Sequence, residues 1–208
     1  MIDKAMLPQH QPTREEIRKS IQIKYINFLS QLSGSNKKVI AVDVSGMATN
    51  FCKWTTDDYY KGILNVNRLV SEEYNRKHGK PGVIRIFAVD PDRISDEGIC
   101  NLEELLRQHV AFGIEPGIIL TTEHEVREGT ISDIALMGDS SALDAKRIEP
   151  LDPTDMFYDA DHFIDSSGSQ MYRDVEERVH WANDNRKDMV IKELVQIDEL
   201  AKFLRKRR

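Results

Sequence analysis

The hydrophobic pattern of this chain alternates between two rhythms. Between Thr13 and Gly34 apolar residues recur every three or four positions, at Ile17, Ile21, Tyr25, Phe28, Leu29 and Leu32. That stripe predicts an amphipathic helix, with Thr13 and Glu16 in capping-box register at its start. The rhythm then changes. "KVIAVDV", residues 38–44, is an almost continuous apolar and β-branched run, as expected of a strand covered on both faces. Helical spacing returns in "TTDDYYKGILNVNRLVSEEYNRKHGK", which stops at Gly79. "GVIRIFAVD" then predicts a second strand, "NLEELLRQHVAFG" a helix with a glycine stop, and "PGIILTT" a third strand. Two consecutive strand-helix-strand units imply a mostly parallel sheet with right-handed crossovers.

Past residue 122 the pattern weakens. "EHEVREGT" reads as a charged loop, "SDIALMGD" as a short strand, and "ALDAKRIE" as its partner in a hairpin that turns around Asp139 to Ser141. Residues 149–168 carry two prolines and many aspartates, which predicts a lid or surface loop holding a short strand at most. The closing segment is helical by pattern and breaks near "NDN". In its second part Val190, Leu194, Ile197, Ala201 and Leu204 form a seam that spans two heptads, too short for a coiled coil and suited to docking on the protein's own sheet. The expected organisation is a disordered start over residues 1–12, one α/β domain over 13–187 and a C-terminal helix over 188–208. The expected architecture is a three-layer sandwich, with an antiparallel edge or hairpin beside the parallel strands and helices flanking at both ends.

Composition narrows the function classes. A chain of 208 residues supports one well-buried domain. Its 35 acidic and 29 basic side chains leave a net charge of −6, which repels polyanions, so nucleic acid is not the expected partner. Cys52 and Cys100 lie far apart without metal-binding spacing, which suits a reducing, cytoplasmic setting. No apolar run approaches the length of a membrane span, and no cofactor is implied.

The most chemical-looking stretch is "KVIAVDVSGMATN". An aspartate at the carboxyl end of a parallel strand sits where open α/β sheets place their ligands, which makes Asp43 the first candidate residue. Two known chemistries come close to it. Haloacid-dehalogenase-like phosphatases need a second aspartate where Ser45 stands and a threonine where Met47 stands. Von Willebrand A-type metal sites share Asp43 and Ser45, but require a hydroxyl at Met47. Elsewhere the motifs fail on spacing. No glycine-rich phosphate loop follows any strand; "HEVRE" has Glu128 in place of the second zinc histidine; and "DADHFID" puts Phe163 and Ile164 where a calcium loop needs a ligand and a glycine. The terminal "RKRR" is read as a solvated helix tip.

The order of a strand, a helix, "IRIFAVD", the helix and strand "LEELLRQHVAFGIEPGIIL" and then "SDIALMGDSSALDA" resembles one half of the phospholipase D superfamily, over roughly residues 38–148. That family carries H-x-K-x-x-x-x-D on a hairpin. Placing the motif aspartate on Asp139 puts Ser132 at the nucleophilic histidine and Ile134 at the phosphate-binding lysine. The family needs an imidazole to form the phosphoenzyme and a cation to neutralise the phosphoryl oxygens, and neither replacement supplies them. The resemblance therefore implies a degenerate, non-catalytic domain acting as a regulatory or binding module.

The expected ligand-binding residues are Asp43 and Ser45 after the first strand, Trp54, Tyr60 and Asn67 in the segment behind it, Arg85 as an anion partner on the second strand, and Asp139 on the hairpin. The expected partner is an unidentified protein or a small ligand. Two rival readings use other features. A divalent-metal-dependent phosphohydrolase or phosphotransferase would join Asp43 to Asp90, Asp92 or the 155–165 loop, and its two-metal chemistry needs shared carboxylates within about 4 Å of the ions. An oligomerising scaffold, in the simplest case a homodimer, would assemble through the seam at residues 190–204.

Overall fold

A computed structural model describes residues 37–127, 133–138, 141–147, 158–164, 170–185 and 193–207, together with Thr13, Glu16, Lys19, Ile23, Ile26, Asn27 and Ser30. The chain folds as an α/β sandwich around one six-stranded sheet. The strands are β1 (Val39–Asp43), β2 (Val83–Val89), β3 (Glu115–Leu120), β4 (Asp133–Met137), β5 (Ser141–Arg147) and β6 (Tyr158–Ile164), and their spatial order is β3-β2-β1-β4-β5-β6. β1 pairs with β2, and β2 with β3, in parallel; from β4 outward every pairing is antiparallel. The parallel units and the hairpin expected from the sequence are both present.

The helices are α1 (Ser45–Ala48), α2 (Cys52–Thr56), α3 (Asp58–His78), α4 (Asp96–Ala111), α5 (Glu123–Arg127), α6 (Gln170–Asn185) and α7 (Leu194–Lys206). Short polar side chains start the two long helices of the parallel units. Asp57 caps α3 by accepting from the Tyr59 N–H, Ser95 caps α4 by accepting from the Gly98 N–H, and Gly79 ends α3 with a left-handed φ of 64°. At the front of the chain Thr13 and Glu16 form the reciprocal capping box, and Ile26 lies against Gly62 of α3. The stripe from Ile17 to Leu32 and the start over residues 1–12 lie outside the described residues.

Three segments depart from expectation. The single helix expected from Thr55 breaks at Asp57, whose extended backbone caps α3 and leaves α2 as a separate turn. "EHEVR" is helical rather than a loop, because Thr122 and Glu125 build their own capping box: the Thr122 N–H donates to Glu125 Oε2 at 2.8 Å and the Glu125 N–H to Thr122 Oγ1 at 3.2 Å. Within 149–168, residues 158–164 form a full strand along β5.

Alternation along the strands divides the interior into two layers. Odd-numbered residues of β1 and β2, with Val39, Ala41, Val83, Phe87 and Val89 among them, face α2, α3, α4 and α7. Even-numbered residues, Val42, Ile84, Ile86 and Ala88, face α6 through Tyr172, Val175, Val179 and Ala182. The later part of the C-terminal seam is buried too, although Leu194 is half exposed and Val190 lies outside the described residues. Ile197, Ala201 and Leu204, with Leu200, pack into the first layer against α4, and the cross-helix ion pairs Arg107–Asp198 and Arg205–Glu103 flank them. It docks on a helix rather than on the sheet. Among the described residues no helix is long and apolar enough to cross a membrane.

Candidate functional site

Asp43 closes β1 on the face covered by α2, α3 and α4, and Arg85 lies on the same face of β2, diagonally across the register in which Ala41 opposes Arg85 and Asp43 opposes Phe87. The two meet: Arg85 Nη2 donates to Asp43 Oδ2 at 3.2 Å. The other oxygen, Oδ1, accepts from the Gly46 N–H at 3.2 Å. Each residue is only 4% exposed, so this carboxylate is held between a guanidinium and a backbone amide and turned away from solvent.

Behind the ion pair stands Trp54 of α2, with the Arg85 guanidinium carbon 4.6 Å from the centre of its ring. Trp54 also meets Phe87 edge to face at 5.5 Å, Tyr60 at 4.8 Å and His109 at 5.7 Å between ring centres, and Phe87 meets His109 at 5.1 Å. Asn67 projects from the buried stripe of α3 that contains Ile63, Leu64, Val70 and Ser71. Of the residues expected to line a ligand cleft, Asp43, Arg85, Trp54 and Tyr60 thus form one connected chain, but Asp43, Arg85, Trp54 and Asn67 are buried beneath the helical layer rather than facing an open cleft. The anion expected for Arg85 is Asp43. Ser45 is the first residue of α1, and its side chain lies outside the described part of the structure; Asp139 lies outside the described residues.

The loop that carries the chain from β1 to α2 is tightly wound. Asn50 and Phe51 take left-handed φ values of 47° and 61° in succession, a conformation that is unfavourable for a bulky residue such as Phe51. The surroundings hold them there. The Phe51 N–H donates to Gly46 O, the Asn50 carboxamide oxygen accepts from the Ser95 N–H, and the Asn50 carbonyl accepts from Asn101 Nδ2. A Cβ at Gly46 would fall 2.3 Å from the Phe51 ring, so only glycine fits.

Two residues that sequence reasoning missed belong to the same neighbourhood. His109 occupies the apolar stripe of α4 with Leu102, Leu105 and Leu106, and is fully buried. Its Nδ1 lies 2.8 Å from the Leu105 carbonyl. Burial first, and then the Arg85 charge, depress its pKa to about 3 against a hydrogen bond that pulls the other way, so the ring is neutral. Its place in a leucine stripe gave no signal of this. Asp133 opens β4, and its Oδ1 accepts from the Val44 N–H at 2.6 Å, which fixes the end of β1 to the antiparallel half of the sheet.

Of the carboxylates named for two-metal chemistry, Asp43 is paired with Arg85, and those of the 155–165 loop lie outside the described part of the structure. Asp90 is buried, and its Oδ1 accepts from the Asp92 N–H to shape the turn after β2, while Asp92 itself is exposed. Among the described residues no three His, Cys, Asp or Glu side chains are grouped to hold a metal ion. Ile134, at the position of the phosphate-binding lysine in the resemblance, is buried in the layer under α6, and Ser132 lies outside the described residues. No protein-family model, curated protein or solved structure matches the chain.

Proposed function

We propose that this chain is a non-catalytic interaction module of the degenerate phospholipase D-like kind, which engages a protein partner or small ligand through the loops at the carboxyl edge of β1, β2 and β3. The observation that carries the reading is the state of Asp43. A nucleophile or metal ligand must present a lone pair to the reacting group, whereas both oxygens of Asp43 already accept hydrogen bonds inside the core. The burial of Ile134 gives further support, because a cationic side chain at that position would have no route to a phosphoryl group. Cys52 and Cys100, both free thiols, fit the cytoplasmic setting that the reading assumes.

The test is an assay of the full chain with bis(p-nitrophenyl) phosphate, with and without magnesium or manganese, in parallel with melting curves. No turnover is expected, and Asp43→Asn is expected to lower the melting temperature equally with and without metal. A metal-dependent rise in melting temperature that Asp43→Asn abolishes overturns the reading in favour of the phosphohydrolase. The scaffold reading keeps only part of its seam, since Ile197, Ala201 and Leu204 are buried against α4 while Leu194 is half exposed and Val190 lies outside the described residues.

A further inference from the structure

Beneath the ion pair, three side chains carry polar atoms that are buried and have no hydrogen-bond partner: Trp54 Nε1, both Nδ2 and Oδ1 of Asn67, and His109 Nε2. All three residues are at most 1% exposed. Two of them are neighbours. The Trp54 and His109 rings lie 5.7 Å apart. Between α3 and the end of α4, Arg68 stands over the Phe112 ring and the Ser71 hydroxyl donates to the Gly113 carbonyl. One helical turn before Ser71 and Gly113 stand Asn67 and His109, both on the inner faces of their helices.

The hydrogen-bonding character of the group is definite. The Leu105 carbonyl can only accept, so His109 Nδ1 carries the proton and Nε2 offers a bare lone pair. Trp54 Nε1 is purely a donor, and Asn67 presents one acceptor and one donating amide. The set therefore combines donors with acceptors, and the Asp43–Arg85 pair above it is already neutralised. A charged guest has no counter-ion here, and an apolar guest would leave four polar atoms unmet at a cost that native interiors rarely bear. The guest that fits is small and neutral, and it both donates and accepts.

We infer that the interior between α3, α4 and β2 is a hydration site, in which ordered water bridges Trp54, Asn67 and His109. Buried water usually makes about three hydrogen bonds to groups that would otherwise be unsatisfied, and these side chains supply them. The site joins three helices, α2 through Trp54, α3 through Asn67 and α4 through His109.

Water-to-protein Overhauser NMR on the full chain tests this. The chain has two tryptophans, so Trp181→Phe assigns the indole resonances, and half-exposed Trp181 is the internal control. A cross-peak with the sign of a long-lived water is expected at the Trp54 indole N–H and not at Trp181. It should persist in Tyr60→Phe, which removes the nearby hydroxyl that could relay exchange, and disappear in Asn67→Leu while near-ultraviolet circular dichroism stays native. Absence of the cross-peak in the unsubstituted protein overturns the inference without any variant. So does its loss in Tyr60→Phe or its survival unchanged in Asn67→Leu.

Discussion

The two faces of the sheet are built on different principles. The face under α6 is filled mainly by aliphatic side chains, Val42, Ile84, Ile86, Ile134, Leu136, Val175 and Val179, and its cohesion is the non-directional gain of removing apolar surface from water. The opposite face is as deeply buried, yet it encloses an ion pair, a neutral histidine, a carboxamide and an indole among its leucines and isoleucines. One face tolerates any side chain of suitable size and shape. The other depends on partners in place, because each polar group there is harmless only while its counterpart remains. Of the residues that looked chemical in the sequence, Asp43, Trp54, Tyr60, Asn67 and Arg85 belong to the second face.

The sharpest way to break this contrast is to remove one member of the ion pair. Arg85→Met should destabilise the chain by about 3–5 kcal/mol in urea denaturation, since it strands the Asp43 carboxylate in the core. The double substitution Asp43→Leu with Arg85→Met should recover much of that loss, and if it only adds to the loss, the pair is more than a matched set of charges. Acid comes next. Because His109 is deprotonated in the fold down to a pH of about 3 and titrates near 6.5 when unfolded, the unfolded chain binds the extra proton between those values. Its contribution to stability is therefore complete above pH 6.5 and is lost as pH falls toward 3, at about 1.4 kcal/mol per pH unit within that window. Comparing His109→Gln with the unsubstituted protein across this range should show a shallower acid slope in the variant.

On the aliphatic face, Ile86→Val should cost about 1 kcal/mol, equally at pH 5 and pH 7, as expected of a lost methylene with no titrating neighbour. A pH-dependent cost there would erase the distinction between the faces. Smallest of all, Arg107→Ala at the α4–α7 contact should change stability by no more than about 1 kcal/mol, because its pair with Asp198 is well exposed.

Much of the frame could be read from residue patterns. "VIAVD" and "VIRIFAV" announce buried strands by their apolar continuity, and Gly79 marks a helix end by local chemistry. The caps at Asp57 and Ser95 went unread, and the helix expected from Asn101 starts at Asp96. The short helix at Glu123 was concealed by its charge, although Thr122 and Glu125 spelled out its cap. What could not be read was who meets whom. Asp43 and Arg85 are 42 residues apart, and the strand register that sets one diagonally across from the other is fixed by the whole parallel unit rather than by either neighbourhood. Arg85 was visible as a cation awaiting an anion, but whether that anion came from a ligand or from the protein was a question of tertiary structure. His109 was invisible for the opposite reason, since a histidine in a leucine stripe looks like one more face residue until its ring nitrogens are placed.

The central position of β1 has a consequence for how the chain is made. β1 hydrogen-bonds to β2 on one side and to β4 on the other, and the contact between Val44 and Asp133 closes a separation of 89 residues. Chain emerging from a ribosome can assemble β1, β2 and β3 with their crossover helices well before β4 exists. Throughout that interval the middle strand of the finished sheet is an open edge, with a row of unpaired amides and carbonyls flanked by valines and isoleucines. The β4–β5 hairpin thus acts as a late closure on an adhesive intermediate, and slow translation or truncation before Met137 would leave a species prone to self-association through β1.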